Sequence, residues 1–237
     1  MSTHTSAQPR ALIVGAGAGL SASVARQLAA RGYAVTLAAR NVDKLAGLAR
    51  EIGATRHVCN SASPEAVARL FADIDGPLRV VVYNPSARVR GPLVTLDPEA
   101  VRYAVEVTAF GAFLVSQQAA RRMLGQPLEN DRHGTILLTG ASAGVKGFAH
   151  SAAFAMGKFA QRGLAQSMAR ELHPLGIHVA WVNVDGGIRS ASRPVPPERP
   201  DSLLDPDAIA QTYLALIDQH RSAWSDEVTV RPWVETF

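Results

Sequence analysis

The chain has 237 residues, 47% of them hydrophobic and 19% charged, with 24 basic against 20 acidic side chains and a net charge of +4. That is enough apolar material to bury a full core, so a chain disordered as a whole is excluded and one domain over 1–237 is expected, with a flexible start at 1–9. The 21 Arg and three Lys are scattered without a basic run, no apolar stretch approaches a membrane span, and the seven His and lone Cys59 have no metal-ligand spacing, so nucleic acid, membrane and metal are not expected as partners.

Short β-branched runs alternate with longer segments of helical period, the pattern of a parallel sheet covered by helices on both faces. The first run, Ala11 to Val14, leads into a turn containing Gly15, Gly17, Ala18, Gly19, Leu20 and Ser21. Glycines there permit a tight turn and let backbone N–H groups approach a diphosphate at a helix N-terminus, although such a turn also has a purely structural reading. Leu20, Val24 and Leu28 then recur every fourth residue, a stripe that packs on a sheet. A second run, Ala34 to Ala38, ends at Ala39-Arg40-Asn41. An acid at this point would hold both hydroxyls of an adenosine ribose, whereas Arg40 suits a 2′-phosphate, so NADP(H) is expected ahead of NAD(H); the alternative is a solvated arginine.

Further runs follow at Arg56 to Cys59, Val80 to Tyr83, Thr135 to Thr139, Ile177 to Val182 and Val228 to Arg231, seven strands in all. Asp97-Pro98 reads as a helix cap followed by a first-turn proline, and a long helical segment runs from Ala149 to Leu172, stopping at His173-Pro174. Within it Phe154 and Lys158 share a face, one turn apart, with His150 one turn earlier. Lys158 among apolar neighbours favours a ligand-facing ammonium, with snorkelling to solvent as the alternative. Four prolines between Ser192 and Pro200 exclude regular structure; the surrounding loop, 189–205, reads as a substrate lid because ligands of such sheets lie beyond the carboxyl ends of the strands, or else as a plain connector. A single cysteine and a start without an apolar signal segment point to the cytoplasm.

Taken together these features resemble the short-chain dehydrogenase/reductase family over nearly the whole length. The resemblance rests on Gly15-x-x-x-Gly19, Asn84-Pro85-Ser86 after the fourth strand, Lys158, and Asp185-Gly186-Gly187-Ile188 after the sixth. It implies a Rossmann-type, doubly wound, seven-stranded parallel sheet in three α/β/α layers, a nicotinamide nucleotide, and hydride transfer to or from a small-molecule substrate, commonly in a homodimer or homotetramer. The nucleotide contacts it implies are Gly15, Gly17, Ala18, Gly19, Leu20, Arg40, Asn60, Asn84, Pro85, Ser86, Lys158, Asp185, Gly186 and Ile188. In the catalytic set, Phe154 falls at the family's tyrosine, Lys158 at its lysine, Thr108 at its helical asparagine, and Ala141 or Ser142 at its serine, of which only Ser142 carries a hydroxyl.

Phe154 does neither acid nor base work, so ordinary carbonyl reduction loses its usual proton donor. Tyr83, Tyr103 and His150 are candidate substitutes, each with a plain packing or surface alternative. Substrates that need no such acid, among them enones and iminium ions, would escape the loss; within the family, dienoyl-CoA reductases lack the tyrosine and keep the lysine. The expected activity is therefore NADP(H)-dependent hydride transfer involving a small carbonyl, enone or imine, with a nucleotide-binding regulatory or scaffold protein as the alternative. The ending with Trp233, Val234 and Phe237 is apolar enough to invite a symmetric partner.

Overall fold

The structure is a computed structural model in which residues 7–235 are described. Most of the expected flexible start, residues 1–6, and Phe237 lie outside the described residues. Seven strands form one sheet: β1 (Arg10–Val14), β2 (Ala34–Ala39), β3 (Thr55–Val58), β4 (Leu78–Tyr83), β5 (Gly134–Thr139), β6 (Ile177–Val184) and β7 (Glu227–Val230). Every pairing is parallel, in the order β3-β2-β1-β4-β5-β6-β7. The order reverses direction between β1 and β4, and a sheet of this kind opens a crevice at the carboxyl ends of the two strands there.

The helices are α1 (Leu20–Ala30), α2 (Ala46–Ile52), α3 (Pro64–Ala72), α4 (Pro98–Val105), α5 (Gly111–Leu124), α6 (Ala152–Leu172) and α7 (Pro206–Asp218). Alternation along the strands builds two cores. Leu12, Val14, Val81, Tyr83, Ile136, Leu138 and Trp181 face α3, α5 and α6, while Ala11, Ile13, Val35, Leu37, Val80, Val82 and Val182 face α1, α2 and α7. The stripe of Leu20, Val24 and Leu28 is buried as expected, and Asp97 caps α4 by accepting from the N–H groups of Glu99 and Ala100.

Some boundaries differ from the sequence-based expectation. β3 begins at Thr55 because Thr55 pairs with Thr36, leaving Cys59 beyond the strand. β6 continues to Val184 because β7 pairs with Asn183 and Val184. The long helix starts at Ala152, so His150 is not one helical turn before Phe154: it has φ +58°, a left-handed turn conformation, and is exposed. Between α4 and α5, Glu106–Phe110 forms a π-helical turn that includes Thr108. Among the described residues no helix is long and apolar enough to cross a membrane. At the outer edge of the sheet β7 is followed by Trp233 and Val234, both exposed.

Candidate functional site

The turn after β1 is shaped by contact with the turn after β4. Gly15 has φ +78°, and a Cβ there would lie 2.6 Å from Pro85 N, so only glycine fits. Ser21 ties the two turns together: its Oγ donates to Gly15 O at 3.1 Å and accepts from Asn84 Nδ2 at 2.7 Å. A Cβ at Gly17 or Gly19 would meet no protein atom within 4 Å, which leaves the outer side of this turn open. Open backbone at the start of α1 is what a diphosphate requires, so the residues present fit a dinucleotide.

Three openings follow the carboxyl ends of the strands. A cavity of about 330 Å³ is lined by Gly15, Arg40, Asn60, Asn84, Pro85 and Ser86, among others. Arg40 donates to the Tyr103 hydroxyl at 2.6 Å, and the Asn60 side-chain Oδ1 accepts from Ala62 N–H. A second cavity, about 570 Å³, lies between Ala18, Gly19 and the proline-rich loop. The third, about 550 Å³, contains Ser142, Ala141, Phe154, Gly186 and His150, with Arg88, Arg90 and Arg193.

The expected contacts are thus not equally placed. The Leu20 side chain is in the core, so only its backbone is available to a ligand. Asp185 pairs with Arg231 at 3.3 Å, and Ile188 bridges to Leu204 at the base of the proline-rich loop. That bridge, with Arg189 N–H donating to Leu204 O and Leu204 N–H to Gly187 O, pins both ends of the loop while it passes the second and third cavities. Tyr103 is engaged with Arg40. Tyr83 is fully buried, bonded to the Val107 carbonyl and to Ser61 Oγ, and burial raises its pKa, so it is a packing tyrosine rather than a proton donor to substrate.

Ser142 and Phe154 do meet in the third cavity. The turn carrying Ser142 rests on the indole of buried Trp181: a Cβ at Gly140 or Gly144 would come within 2.4 or 2.6 Å of that ring, so small residues let the turn sit down on it. Phe154 is 6% exposed, and the guanidinium of Arg88 lies 4.2 Å from its ring centroid, a cation–π contact over the face of the ring. Arg88 gave no signal in the sequence beyond its place two residues after Ser86 in a loop at the carboxyl end of a strand.

Lys158 is 2% exposed and outside the lining of the three cavities. Its Nζ donates to Thr139 O and to Gln161 Oε1 at 3.2 Å. Gln161 Nε2 continues the chain by donating to Thr108 O at 3.1 Å, and Thr108 Oγ1 accepts from Ala87 N–H at 3.2 Å. Burial first, then the Arg88 charge, pulls the Lys158 pKa down to about 7. Among the described residues two acceptors face the amine, which matches the two N–H groups of its neutral form. Gln161 was missed in the sequence, although its spacing of three from Lys158 puts both on one helix face.

The pattern of the short chain dehydrogenase family matches residues 9–193. The chain is 29% identical over 169 residues to the 3-oxoacyl-[acyl-carrier-protein] reductase MabA of Mycobacterium avium, a match over 70% of this chain and 62% of that protein's length. A crystal structure of a short-chain dehydrogenase from Rhodopseudomonas palustris is similar with a TM-score of 0.81 and 32% identity, over 95% of this chain and 99% of the other. A metagenomic short-chain oxidoreductase solved in complex with NADP is similar with a TM-score of 0.81 and 28% identity, over 97% and 99%.

The buried amine makes stability depend on pH. Its folded pKa of about 7 lies below the ordinary 10.5, so between these values the unfolded chain holds the extra proton and stability rises with pH; below pH 7 the amine is charged in both states and the penalty is constant. Relative to Lys158→Met, the wild type should gain about 2 kcal/mol between pH 7 and pH 9 in urea unfolding. Parallel pH profiles for the two proteins would refute a neutral buried amine.

Proposed function

The chain belongs to the short-chain dehydrogenase family, and on that premise we propose that it is an NADP(H)-dependent oxidoreductase in which Phe154 stands at the position of the family's catalytic tyrosine. The observation that carries this reading is the open turn over Gly17 and Gly19 leading along the strand ends to a cavity where Ser142 and Phe154 meet. The turn at Gly15, Gly17, Ala18 and Gly19 would hold the diphosphate, with Asn60, Asn84, Pro85 and Ser86 along the adenosine side. Asp185, Gly186 and Ile188 complete the proposed nucleotide set, whereas Lys158, expected from the sequence to face the ligand, is buried behind the cavities and acts through its hydrogen bonds. When bound, the reduced dinucleotide supplies a hydride to an electrophilic carbon, and the heteroatom or conjugated carbon takes a proton from water.

The chain's own part is then electrostatic. The Ser142 hydroxyl donates to the substrate heteroatom, and the Arg88 guanidinium, stacked on Phe154, faces the negative charge that develops there. Thr108 and Lys158 act as positioning residues through the buried chain of hydrogen bonds. A substrate whose reduction needs no strong internal acid suits this set: an activated carbonyl, an enone or an imine. A binding protein without turnover is the second reading, favoured by the missing phenol alone.

Cofactor choice is assigned to Arg40, supported by Ala39 in place of an acid and by an NADP-bound relative. NADPH should bind at least several-fold tighter than NADH, about 1 kcal/mol or more, and Ala39→Asp should invert the order. Equal affinities in titration calorimetry would remove Arg40 from this role.

Replacing Phe154 by Tyr returns a phenol to a site that otherwise keeps its shape. Reduction of a plain ketone by NADPH should then rise, by up to roughly 10²–10⁴-fold. If neither protein oxidises NADPH with any carbonyl, enone or imine while both bind it tightly, the binding-protein reading prevails.

Assembly as a homodimer or homotetramer is part of the same proposal, supported by the uncovered β7 edge and the 81% exposure of Trp233. Light scattering should report a multiple of 25.1 kDa at micromolar concentration, reduced by removing the last six residues. A monomer in the intact protein would contradict it.

A further inference from the structure

The cavity that holds Ser142 and Phe154 is lined by three guanidiniums, those of Arg88, Arg90 and Arg193, and by no aspartate or glutamate. Among the described residues none of the three forms an ion pair with a carboxylate, in contrast to the arginines elsewhere that pair with Glu51, Asp205, Asp218 or Glu227. They come from opposite walls. Arg88 and Arg90 follow the turn after β4, whereas Arg193 is carried by the proline-rich loop, where its backbone pairs with Ser190. Gathering three like charges in one cleft costs repulsion, and burial together with Arg90 and Arg193 lowers the Arg88 pKa from its ordinary value.

The Arg88 guanidinium lies over Phe154, 4.2 Å from the ring centroid, and forms no ion pair with a carboxylate among the described residues. A planar fork fixed in this way matches a carboxylate with two parallel hydrogen bonds. Here the charge arrangement also answers a question that the missing phenol raises. An anionic group next to the reacting carbon would anchor the substrate on the same arginines that face the developing negative charge.

We propose that this cleft takes a small oxo or imino acid, its carboxylate gripped by Arg88, Arg90 and Arg193, the last supplied by the loop. This rests on the oxidoreductase reading for what happens to the substrate, but the grip on the anion stands on its own and is measured separately. The small carbonyl or imine expected from the sequence is thereby narrowed to one that carries a carboxylate.

The test uses the intact protein loaded with NADPH and follows quenching of nucleotide fluorescence by benzoylformate and by its uncharged methyl ester. The acid should bind about tenfold tighter or more, with an advantage that shrinks as salt rises. In Arg88→Gln/Arg90→Gln the advantage should fall to near unity, with NADPH affinity measured in parallel; Arg193→Gln, a change on an exposed loop, should reduce it by several-fold and provides the test if the double variant does not fold. Equal binding of acid and ester by the wild type overturns the proposal. Tighter binding of glyceraldehyde 3-phosphate than of benzoylformate overturns the carboxylate and assigns a phosphate instead. Failure to bind NADPH counts against the oxidoreductase reading alone, since the acid and ester are then compared on the unloaded protein by calorimetry.

Discussion

A buried amine holds the site together. Lys158 lies under the carboxyl end of β5 with its two acceptors on β5 and α6, and Gln161 passes the connection to the π-helical turn at Thr108. Thr108 in turn fixes the backbone at Ala87, the residue before Arg88. Arg88 then closes the circuit by lying on Phe154, one turn before Lys158 on the same helix. Desolvating an amine is costly, and that cost is met only while both acceptors stay in place. The strand end, the helix, the π-helical turn and the β4 loop are therefore positioned by one set of contacts, with Gly157 allowing α6 to lie directly against Thr108.

This arrangement bears on how a cleft without a phenol would work. A tyrosine offers a proton; a guanidinium offers fixed positive charge and several N–H groups but keeps its protons. Stabilisation by preorganised charge suits steps in which negative charge develops before a proton arrives, and it is strongest where water is excluded and the donor cannot swing away. The cation–π contact with Phe154 restrains Arg88, which stays exposed to solvent, so the gain here comes from a fixed position and not from exclusion of water. Phe154 is the surface over which the Arg88 guanidinium lies.

Much of the fold was legible because alternation and helical period report burial directly. All seven runs became strands and the Leu20, Val24, Leu28 stripe became a core face. The errors lie where partners rather than local pattern decide. β3 and β6 take their ends from the registers with β2 and β7, and His150 fell outside α6 because its left-handed turn leaves no mark in an apolar pattern that continues across it. The glycine turn was readable as a turn with room for a diphosphate, since spacing determines it. The arginine-lined cavity was not, since Arg88 and Arg193 are 105 residues apart and only the closed loop and the switch in strand order bring them together. Burial of Lys158 was equally hidden: helical position predicts a face, not whether water reaches it.

The central claim is that this chain moves a hydride within a cleft whose charge comes from arginine. Incubation with NADPH deuterated at the transferring position of C4, with a panel of oxo acids, enones and imines, followed by mass spectrometry of the products, tests it most directly. The account predicts a product that carries one deuterium on the carbon attacked, together with an equal amount of NADP⁺. Tight NADPH binding with no deuterium in any product would contradict it.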